Sequence, residues 1–322
     1  MRVLVTGGTG YLGRSVVRAL ASAGHDPVVY SRTACTSGLP GTLIDGDVRD
    51  RASLTAAAAG CRGLVHAAAL VAVWRRDPGE FDAVNVGGLL NAIAAVEHHR
   101  IPRLVYTSSF LARTPEGLRR PPRWNDYQRT KATADAEAQT AVQRGVPIVR
   151  LYPGIIYGPG LLTDGNLLGR QIADHLAGRL PGLVGADRIW SFSYVDDVAA
   201  AHVAALERGA AGRQYLLGGV NAPQMRAFEI VRDITGRRLP RRLPGWLVAL
   251  VAAAEETRVS LAGGRAFVTT GTLEILLRDW PLDSGAAEEE LGYRITPLEE
   301  GIRRIVDELN GSTDEDAGPS QA

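Results

Sequence analysis

The stretch that most restricts the fold of this 322-residue chain is "VTGGTGYLG", residues 5–13. It follows the apolar run 2–6 and opens the helix-like stretch 13–24, and its glycines fit both G-x-G-x-x-G and G-x-x-G-x-x-G. Glycines between a strand and a helix allow a tight turn and the close approach of a pyrophosphate. The helix start then offers unpaired N–H groups to the phosphates. The residues assigned to a dinucleotide here are Gly7, Thr9, Gly10, Tyr11, Leu12 and Gly13.

Short β-branched runs alternate with alanine-rich stretches through the first half of the chain. The runs predicted as strands are 2–6, 27–31, 63–69, 103–109 and 147–151. Apolar runs without alternation, separated by helices, are typical of a parallel sheet that is buried on both faces. The predicted fold class is therefore α/β, a doubly wound parallel sheet (Rossmann) with a smaller α/β C-terminal substrate-binding domain.

The character of the sequence changes after Leu151, where the Gly- and Pro-rich "YPGIIYGPG" begins. We predict a dinucleotide-binding domain over residues 1–152, completed by about 189–217. Residues 153–188 and 218–310 are predicted to form a substrate-binding domain that caps the carboxyl edge of the sheet. The small, polar and acidic residues 311–322 predict a disordered tail.

Composition and motifs exclude several classes of protein. The formal charge of +1 provides no basic field for nucleic acid. Cys35 and Cys61 are the only cysteines, and neither a C-x-x-C nor an H-E-x-x-H spacing occurs, so no metal is predicted. The apolar run 246–254 is too short to span a bilayer, and no secretory signal opens the sequence. We expect a cytoplasmic protein with a small-molecule substrate and no membrane span, and a homodimer remains an open alternative to a monomer.

The end of the second predicted strand bears on the choice of nicotinamide cofactor. An acid usually stands there to hold the ribose 2′-hydroxyl, but this chain has Ser31 and Arg32. An arginine and a hydroxyl suit a 2′-phosphate, which favours NADP, with NAD as the alternative. The residues expected along the adenine side and over the third β-unit are Asp47, Val48, Ala67 and Ala68.

The stretch "YQRTK" (127–131) places Tyr127 one helical turn before Lys131, on the same face of a helix. Alone, this pair indicates no more than a solvated helix face. A cation within ~4–6 Å of a tyrosine favours the phenolate and lowers its pKa from ~10. We therefore expect Lys131 to lower the pKa of Tyr127.

The chain resembles the extended short-chain dehydrogenase/reductase (SDR) superfamily, which includes NAD-dependent epimerases and dehydratases. It is most similar to the dihydroflavonol-reductase-like and farnesol-dehydrogenase-like members. The matching stretches span most of residues 1–295 and are "VTGGTGYLG", "GDVRDRASL", "HAAALVAVWRRDP", "VNVGGL", "VYTSSF", "YQRTK", "RLYPGIIYGPG", "RLPGLVG", "SFSYVDDVAAAHVAALERG" and "ELGY".

The resemblance implies a role for individual residues of this chain. Tyr127 would be the acid/base, Lys131 its partner and Ser109 the third catalytic residue, with Ser108 as the alternative to Ser109. Asn85 would brace the loop beside the cofactor. The stretch along the nicotinamide would run from Pro153 to Ile156.

Two departures from the family pattern bear on the substrate. The loop between Ser109 and Tyr127 is shorter than the family pattern leads us to expect, and it is basic. Phe110 follows the serine pair where a small residue is common, so its bulk would narrow the pocket.

The functional hypothesis is an NAD(P)-dependent oxidoreductase that interconverts an alcohol and a ketone or aldehyde. An apolar substrate (prenyl, aryl or polycyclic) is favoured by the apolar stretches 180–185 and 244–256. Arg179, Arg188 and the cluster 237–242 argue instead for a diphosphate, and a nucleotide-sugar epimerase with tightly bound NAD is the alternative. A cofactor-sensing protein without catalysis would be expected to have lost part of the Ser-Tyr-Lys set.

Overall fold

The computed structural model describes residues 1–114, 125–264, 266 and 268–316 of the chain. The strands in this part are β1 (Arg2–Thr6), β2 (Asp26–Ser31), β3 (Thr42–Asp45), β4 (Gly63–His66), β5 (Leu104–Thr107), β6 (Ile148–Pro153), β7 (Ile155–Tyr157), β8 (Ile189–Tyr194), β9 (Gln214–Leu217) and β10 (Val220–Pro223).

The helices in the same part cover most of the remaining residues. They are α1 (Tyr11–Ser22), α2 (Arg51–Ala57), α3 (Gly79–Phe81), α4 (Gly88–His99), α5 (Asp126–Gln143), α6 (Leu167–Leu176), α7 (Val195–Glu207), α8 (Gln224–Thr235), α9 (Gly245–Ala262), α10 (Thr270–Leu276), α11 (Gly285–Leu291) and α12 (Leu298–Asp316). A π-helical turn (Asp82–Gly87) joins α3 to α4, and a 3₁₀ turn (Phe110–Ala112) follows β5.

Seven parallel strands form the main sheet, in the order β3-β2-β1-β4-β5-β6-β9. The chain leaves β1 toward β2 on one side and returns to β4 on the other. The direction of winding therefore reverses between β1 and β4, and ligands of such sheets bind at the carboxyl ends of the strands at this point. The predicted doubly wound parallel sheet is confirmed.

The apolar strands explain why helices cover both faces of this sheet. Successive side chains of a strand point to opposite faces. In β1, Val3 and Val5 pack with α1 and α7, whereas Leu4 packs in the cluster that includes α2, α4 and α5. Every central strand is apolar at both kinds of position, so neither face tolerates water.

A smaller sheet of three strands, in the order β10-β8-β7, supports the second part of the chain. Its side chains form a third cluster with α6, α8 and α12, and this cluster includes Phe110, Leu111 and Trp280. Phe110 and Leu111 lie just after β5 of the main sheet. This third cluster therefore reaches the carboxyl edge of the main sheet.

The chain crosses from the small sheet back to the large one within the segment predicted to complete the first domain. The structure divides this segment, because β8 lies in the small sheet, α7 packs on α1, and β9 pairs with β6. At the other end of the chain, α12 continues to Asp316, so the first residues of the predicted tail are helical. Residues 317–322 lie outside the described part.

Two features of the fold were not evident from the sequence pattern. β3 is a short edge strand with half-exposed residues, so it lacks the apolar run that marks the other strands. The predicted strand 63–69 ends at His66, and Ala67–Ala69 continue as irregular chain past the glycine loop. Within the described residues, no helix combines the length and the apolar character needed to cross a bilayer.

Candidate active site

The glycine loop turns the chain sharply between β1 and α1. Gly7 has φ +71°, and a Cβ atom on it would lie 2.6 Å from Cα of Ala68, so the two backbones pass in contact. A Cβ atom on Gly13 would overlap the carbonyl oxygen of Gly7. These positions therefore require glycine for reasons of packing alone.

The same loop leaves donors free for an anion. α1 begins at Tyr11 behind Gly10, which has no side chain to cap the N–H groups of the first turn. Such a helix start, at the point where the winding reverses, fits the pyrophosphate of a dinucleotide. The assignment of residues 7–13 to the cofactor stays a prediction, with which this geometry agrees.

The end of β2 places polar groups beside the loop. Thr9 donates a hydrogen bond from its hydroxyl to that of Ser31 at 3.0 Å. Arg32 is exposed, next to Ser31. Arg14 contributes a further guanidinium, since its Nε donates to the carbonyl of Thr9 at 3.1 Å and its Nη1 to the carbonyl of Ser37 at 3.4 Å. Sequence reasoning missed Arg14, although it directly follows the third glycine.

Asp47 lies beyond β3 and is held as a carboxylate. Arg49 binds it through two nitrogens, with Nη2 2.6 Å from Oδ2 and Nε 3.0 Å from Oδ1. The hydrogen bonds from Arg49 lower the pKa of Asp47, and the charge of Arg32 lowers it further. Arg32 therefore lies within electrostatic reach of Asp47, which connects the two sides of the predicted ribose region.

Asn85 lies in the π-helical turn and joins two segments of the site. It is buried, its Oδ1 accepts the N–H of Leu70 at 2.7 Å, and its Nδ2 donates to the hydroxyl of Thr130 at 3.0 Å. Leu70 follows β4, and Thr130 lies on α5 between Tyr127 and Lys131. Irregular turns of this kind are frequent at functional sites. Asn85 thus ties the chain after β4 to the helix with the Tyr-Lys pair.

The remaining predicted cofactor residues lie along the same edge of the sheet. Ala67 and Ala68 follow β4, and Val48 is buried after β3. Pro153 ends β6, and Ile156 is half-buried in β7. Parallel strands end at one edge, so the chain order brings these positions to the crevice that begins at the glycine loop.

The Ser-Tyr-Lys set is assembled from β5 and α5. Asn125 caps α5 by accepting the N–H of Gln128 at 2.8 Å, which starts the helix just before Tyr127. Ser109 is close enough to Tyr127 to lower the pKa of the Tyr127 hydroxyl, and its own Oγ accepts the N–H of Leu111 at 3.2 Å. Ser108 instead donates to Asp135 at 3.2 Å. The geometry therefore favours Ser109 over Ser108 as the serine beside Tyr127.

Lys131 is buried, and it is the only lysine in a chain with 36 lysine and arginine residues. Its ammonium donates to the carbonyl oxygen of Thr107 at 2.9 Å and lies 5.5 Å from the centroid of the Tyr106 ring. Every other cationic side chain is an arginine, which keeps its charge in any environment. The use of lysine at this one place was a signal that the sequence analysis overlooked.

The protonation of the pair differs from the expectation. Burial raises the pKa of the half-buried Tyr127 to about 12, and the nearby Ser109 only opposes this rise. Burial also lowers the pKa of Lys131 to about 8, against the opposing charge of Asp135. The expected lowering of the Tyr127 pKa by Lys131 is therefore wrong for the protein alone, because desolvation raises this pKa and the ammonium is not among the groups that act on it.

Two buried histidines pack behind the site and are not part of the Ser-Tyr-Lys set. Nε2 of His202 lies 2.8 Å from the hydroxyl of Thr107, and its Nδ1 lies 2.7 Å from the carbonyl of Val198. Burial lowers the pKa of His202 to about 4. His66 has a pKa lowered to about 3, by burial and then by the charge of Lys131. Both are neutral at pH 7, so Lys131 is the charged group in this part of the core.

Aromatic side chains pack together in the core beside Ser109. Phe110 meets Trp280 edge to face at 5.2 Å between ring centroids, and Trp190 lies beside Trp280 through a strand-like bridge. Asn125 donates to the hydroxyl of Thr272 at 3.4 Å, so α10 is joined to the start of the Tyr-Lys helix. The predicted short basic loop falls largely in residues 115–124, outside the described residues.

The stretch 244–256 lies mostly in α9, whose Trp246 and Leu250 are 67% and 63% exposed. Its place in the wall of the substrate pocket stays a prediction. A helix that is apolar all round does not reveal from sequence which face is covered.

The parallel sheet with a glycine loop at its reversal point and a Tyr-Lys helix beside it agrees with the extended SDR superfamily. The protein is an SDR-type oxidoreductase, because its fold is that of this class and its homologues are named as reductases and dehydrogenases. More particularly, the chain belongs to the NAD dependent epimerase/dehydratase family, which matches residues 3–218.

Three known proteins illustrate what the chain is similar to. It is 32% identical over 256 residues to sterol demethylase protein B of Methylococcus capsulatus, covering 75% of this chain and 76% of that protein. It is 29% identical over 321 residues to a putative dihydroflavonol 4-reductase of Synechocystis sp., covering 94% and 92%. The crystal structure of gox2253 superposes with a TM-score of 0.80 at 28% identity, covering 96% of this chain and 98% of that one.

Proposed function

We propose that the protein interconverts an alcohol and a ketone or aldehyde on a small apolar substrate, with NADP as the hydride carrier. The observation that carries the proposal is the placement of Tyr127 one helical turn before the buried ammonium of Lys131 on α5, with Ser109 at the end of β5 close enough to act on the Tyr127 hydroxyl. The set lies at the carboxyl end of β5, in line with the crevice that starts at the glycine loop.

The chemistry follows from what these groups do with protons. When bound, the reduced nicotinamide supplies the hydride that the carbonyl carbon of the substrate accepts. The carbonyl oxygen becomes an alkoxide and takes the hydroxyl proton of Tyr127, which a pKa of about 12 keeps in place at neutral pH. Ser109 donates a hydrogen bond to the same oxygen as its charge develops. The ammonium of Lys131 stabilises the phenolate that remains on Tyr127.

The aromatic packing beside Ser109 supports an apolar substrate. Phe110 and Trp280 pack in contact in the core that begins directly after Ser109, so hydrocarbon groups adjoin the proposed position of the reacting carbonyl. Pockets with apolar walls and a few polar groups suit small hydrophobic ligands. The two relatives described above carry names that refer to a sterol and to a dihydroflavonol, which are polycyclic or aryl compounds and agree with such a pocket.

The end of β2 supports NADP over NAD. Arg32 is exposed beside Ser31, and Arg14 lies across the neighbouring loop with its guanidinium on the carbonyl of Ser37. Guanidinium groups bind phosphate with paired, charge-assisted hydrogen bonds. No carboxylate stands at the end of β2 itself, where a free 2′-hydroxyl would be held.

A screen of aldehydes, ketones and alcohols at 340 nm with NADPH and NADP tests the reaction. Tyr127→Phe removes the exchangeable proton and should reduce kcat about 10²–10⁴-fold, with cofactor affinity nearly unchanged. The matched control is Tyr215→Phe on β9, which removes a hydroxyl that donates to Glu290 of α11 and should keep activity within about twofold. Equal activities of the two variants would overturn the assignment of Tyr127.

A nucleotide-sugar epimerase is the competing activity within the family. An epimerase must retain its nicotinamide through the cycle, whereas a dehydrogenase exchanges it at each turnover. Cofactor that stays on the protein after dilution, together with micromolar binding of a UDP-sugar and no turnover of apolar compounds, would replace the proposed function by that one.

A further inference from the structure

Helix α9 exposes an apolar face that has no covering element in the described part of the chain. Its inner side includes the buried Ala252 and Val259. We call the opposite side the outer face, and its members lie about one turn apart in two rows: Trp246, Leu247, Leu250, Val251, Ala254 and Leu261. Exposed apolar residues that are contiguous on one surface are typical of a site that binds a partner or a membrane.

Arginines precede this face directly. Arg237, Arg238 and Arg241 lie in the segment that leads into α9, and in the described chain none of them forms an ion pair with a carboxylate. With His175, Gly178, Leu180 and Pro181 they line a groove of about 570 Å³. Arg242 pairs only with the exposed Asp187. Unpaired guanidinium groups around a groove suit phosphate groups.

We propose that the outer face of α9 and the arginine groove dock the protein on the surface of a bilayer that contains anionic phospholipid. Helices that lie in the membrane interface combine Trp and Leu on one face with basic residues nearby. The apolar face enters the boundary of the acyl chains, and the arginines bind the lipid phosphates. The inference does not depend on the reaction proposed above.

A second copy of the chain fits the same surface less well. The acids of α9 are already used inside the chain, because Glu255 pairs with Arg258 at 2.9 Å and Glu256 accepts the N–H of Thr270 at 2.7 Å. A second α9 therefore brings no free carboxylate to the arginines of the groove. A lipid surface offers both the hydrocarbon and the negative charge that the two parts of this surface need.

Hydrogen bonds connect α9 to the helix that carries Tyr127. Glu256 joins α9 to α10 through Thr270, and α10 reaches Asn125 through Thr272. Asn125 caps the helix that carries Tyr127. The membrane-facing surface is thus connected by two short contacts to the start of the catalytic helix.

Sedimentation with vesicles tests the proposal on the full chain. We expect binding to vesicles of phosphatidylcholine with 30% phosphatidylglycerol, little binding to phosphatidylcholine alone, and loss of binding in high salt. Trp246 should shift its emission to the blue on binding and be quenched by brominated lipid, and Trp246→Phe should remove this signal. Absence of binding to the anionic vesicles would overturn the proposal.

Matched variants separate the apolar and the charged contributions. Leu250→Ser should weaken vesicle binding about tenfold, whereas Leu90→Ser, a change of an exposed leucine on α4, should leave it unchanged. The triple change Arg237→Gln, Arg238→Gln and Arg241→Gln should weaken it about 100-fold, at roughly fivefold per arginine near a charged surface. The control with equal change of net charge replaces the exposed Arg18, Arg144 and Arg303 by Gln.

The alternative occupants have distinct outcomes. Light scattering without lipid reports a second copy, and a dimer that Leu250→Ser dissociates, together with no vesicle binding, would assign this face to self-association. Equal vesicle binding by Leu250→Ser and Leu90→Ser would also refute the docking surface. Thermal unfolding of each variant shows that the fold is intact, and none of these changes touches the residues of the proposed catalytic set.

Discussion

The ammonium of Lys131 offers a direct measurement of the electrostatics of the site. Burial lowers its pKa from 10.5 to about 8. A shift of roughly 2.5 units corresponds to about 3 kcal/mol, since each unit is 1.36 kcal/mol. Because the folded pKa lies below the unfolded one, this destabilisation is fully present below pH 8 and disappears as the pH rises through 10.5.

The chain's single lysine makes the assay simple. Protein labelled with ¹³C-lysine gives one Cε signal, whose chemical shift against pH reports the titration of Lys131 alone. We expect a midpoint of about 8 for the protein without cofactor, and a value near 10.4 in urea.

Lys131→Met converts the titration into a stability measurement. The change removes the buried charge and also the hydrogen bond to the carbonyl of Thr107, which costs about 1–3 kcal/mol. At pH 7 the variant should therefore be as stable as the wild type or slightly more so, although inactive. Between pH 8 and 10.5 the wild type should gain about 3 kcal/mol relative to the variant in urea unfolding. A midpoint near 10.4, or a stability difference that does not depend on pH, would refute the reasoning.

Three further tests, with five variants, address other parts of the site. Ser109→Ala should reduce kcat about 10²–10³-fold with little change in melting temperature. Ser108→Ala loses a hydrogen bond to Asp135, so it should lower the melting temperature by a few degrees and keep most activity. The reverse pattern would make Ser108 the catalytic serine. Arg32→Ala should weaken NADPH binding by about 1.5–3 kcal/mol and leave NADH binding almost unchanged, as two titrations would show, and equal weakening of both would contradict the NADP assignment. Gly7→Ala should abolish cofactor binding, because its Cβ meets the backbone of Ala68. Gly24 has a similar positive φ and free space around it, so Gly24→Ala should lower the free energy of unfolding only by the roughly 1–2 kcal/mol of the strained conformation. Equal loss of cofactor binding in both variants would refute the packing argument.

The parts of the site that the sequence predicted are those set by local spacing. The glycine loop, the strand that precedes it and the one-turn separation of Tyr127 and Lys131 each follow from residues that are close in the chain. The pKa of Tyr127 was not predictable in this way, because it depends on burial by elements distant in sequence. The hydrogen bond from Lys131 to the carbonyl of Thr107 also joins elements distant in sequence and was not predictable. Nor was the exposed face of α9, because apolar residues occur all round this helix.

The return of the chain to the main sheet has a consequence for how the protein is made. β9 completes the sheet next to β6, and α7 covers the same face as α1, but both are synthesised after the small sheet has begun. A nascent chain that ends at β6 would leave Val16, Val17 and Leu20 of α1 without α7 and the edge of β6 unpaired. The nucleotide-binding half therefore cannot mature on the ribosome ahead of the rest, and a fragment cut after Pro153 should aggregate rather than fold.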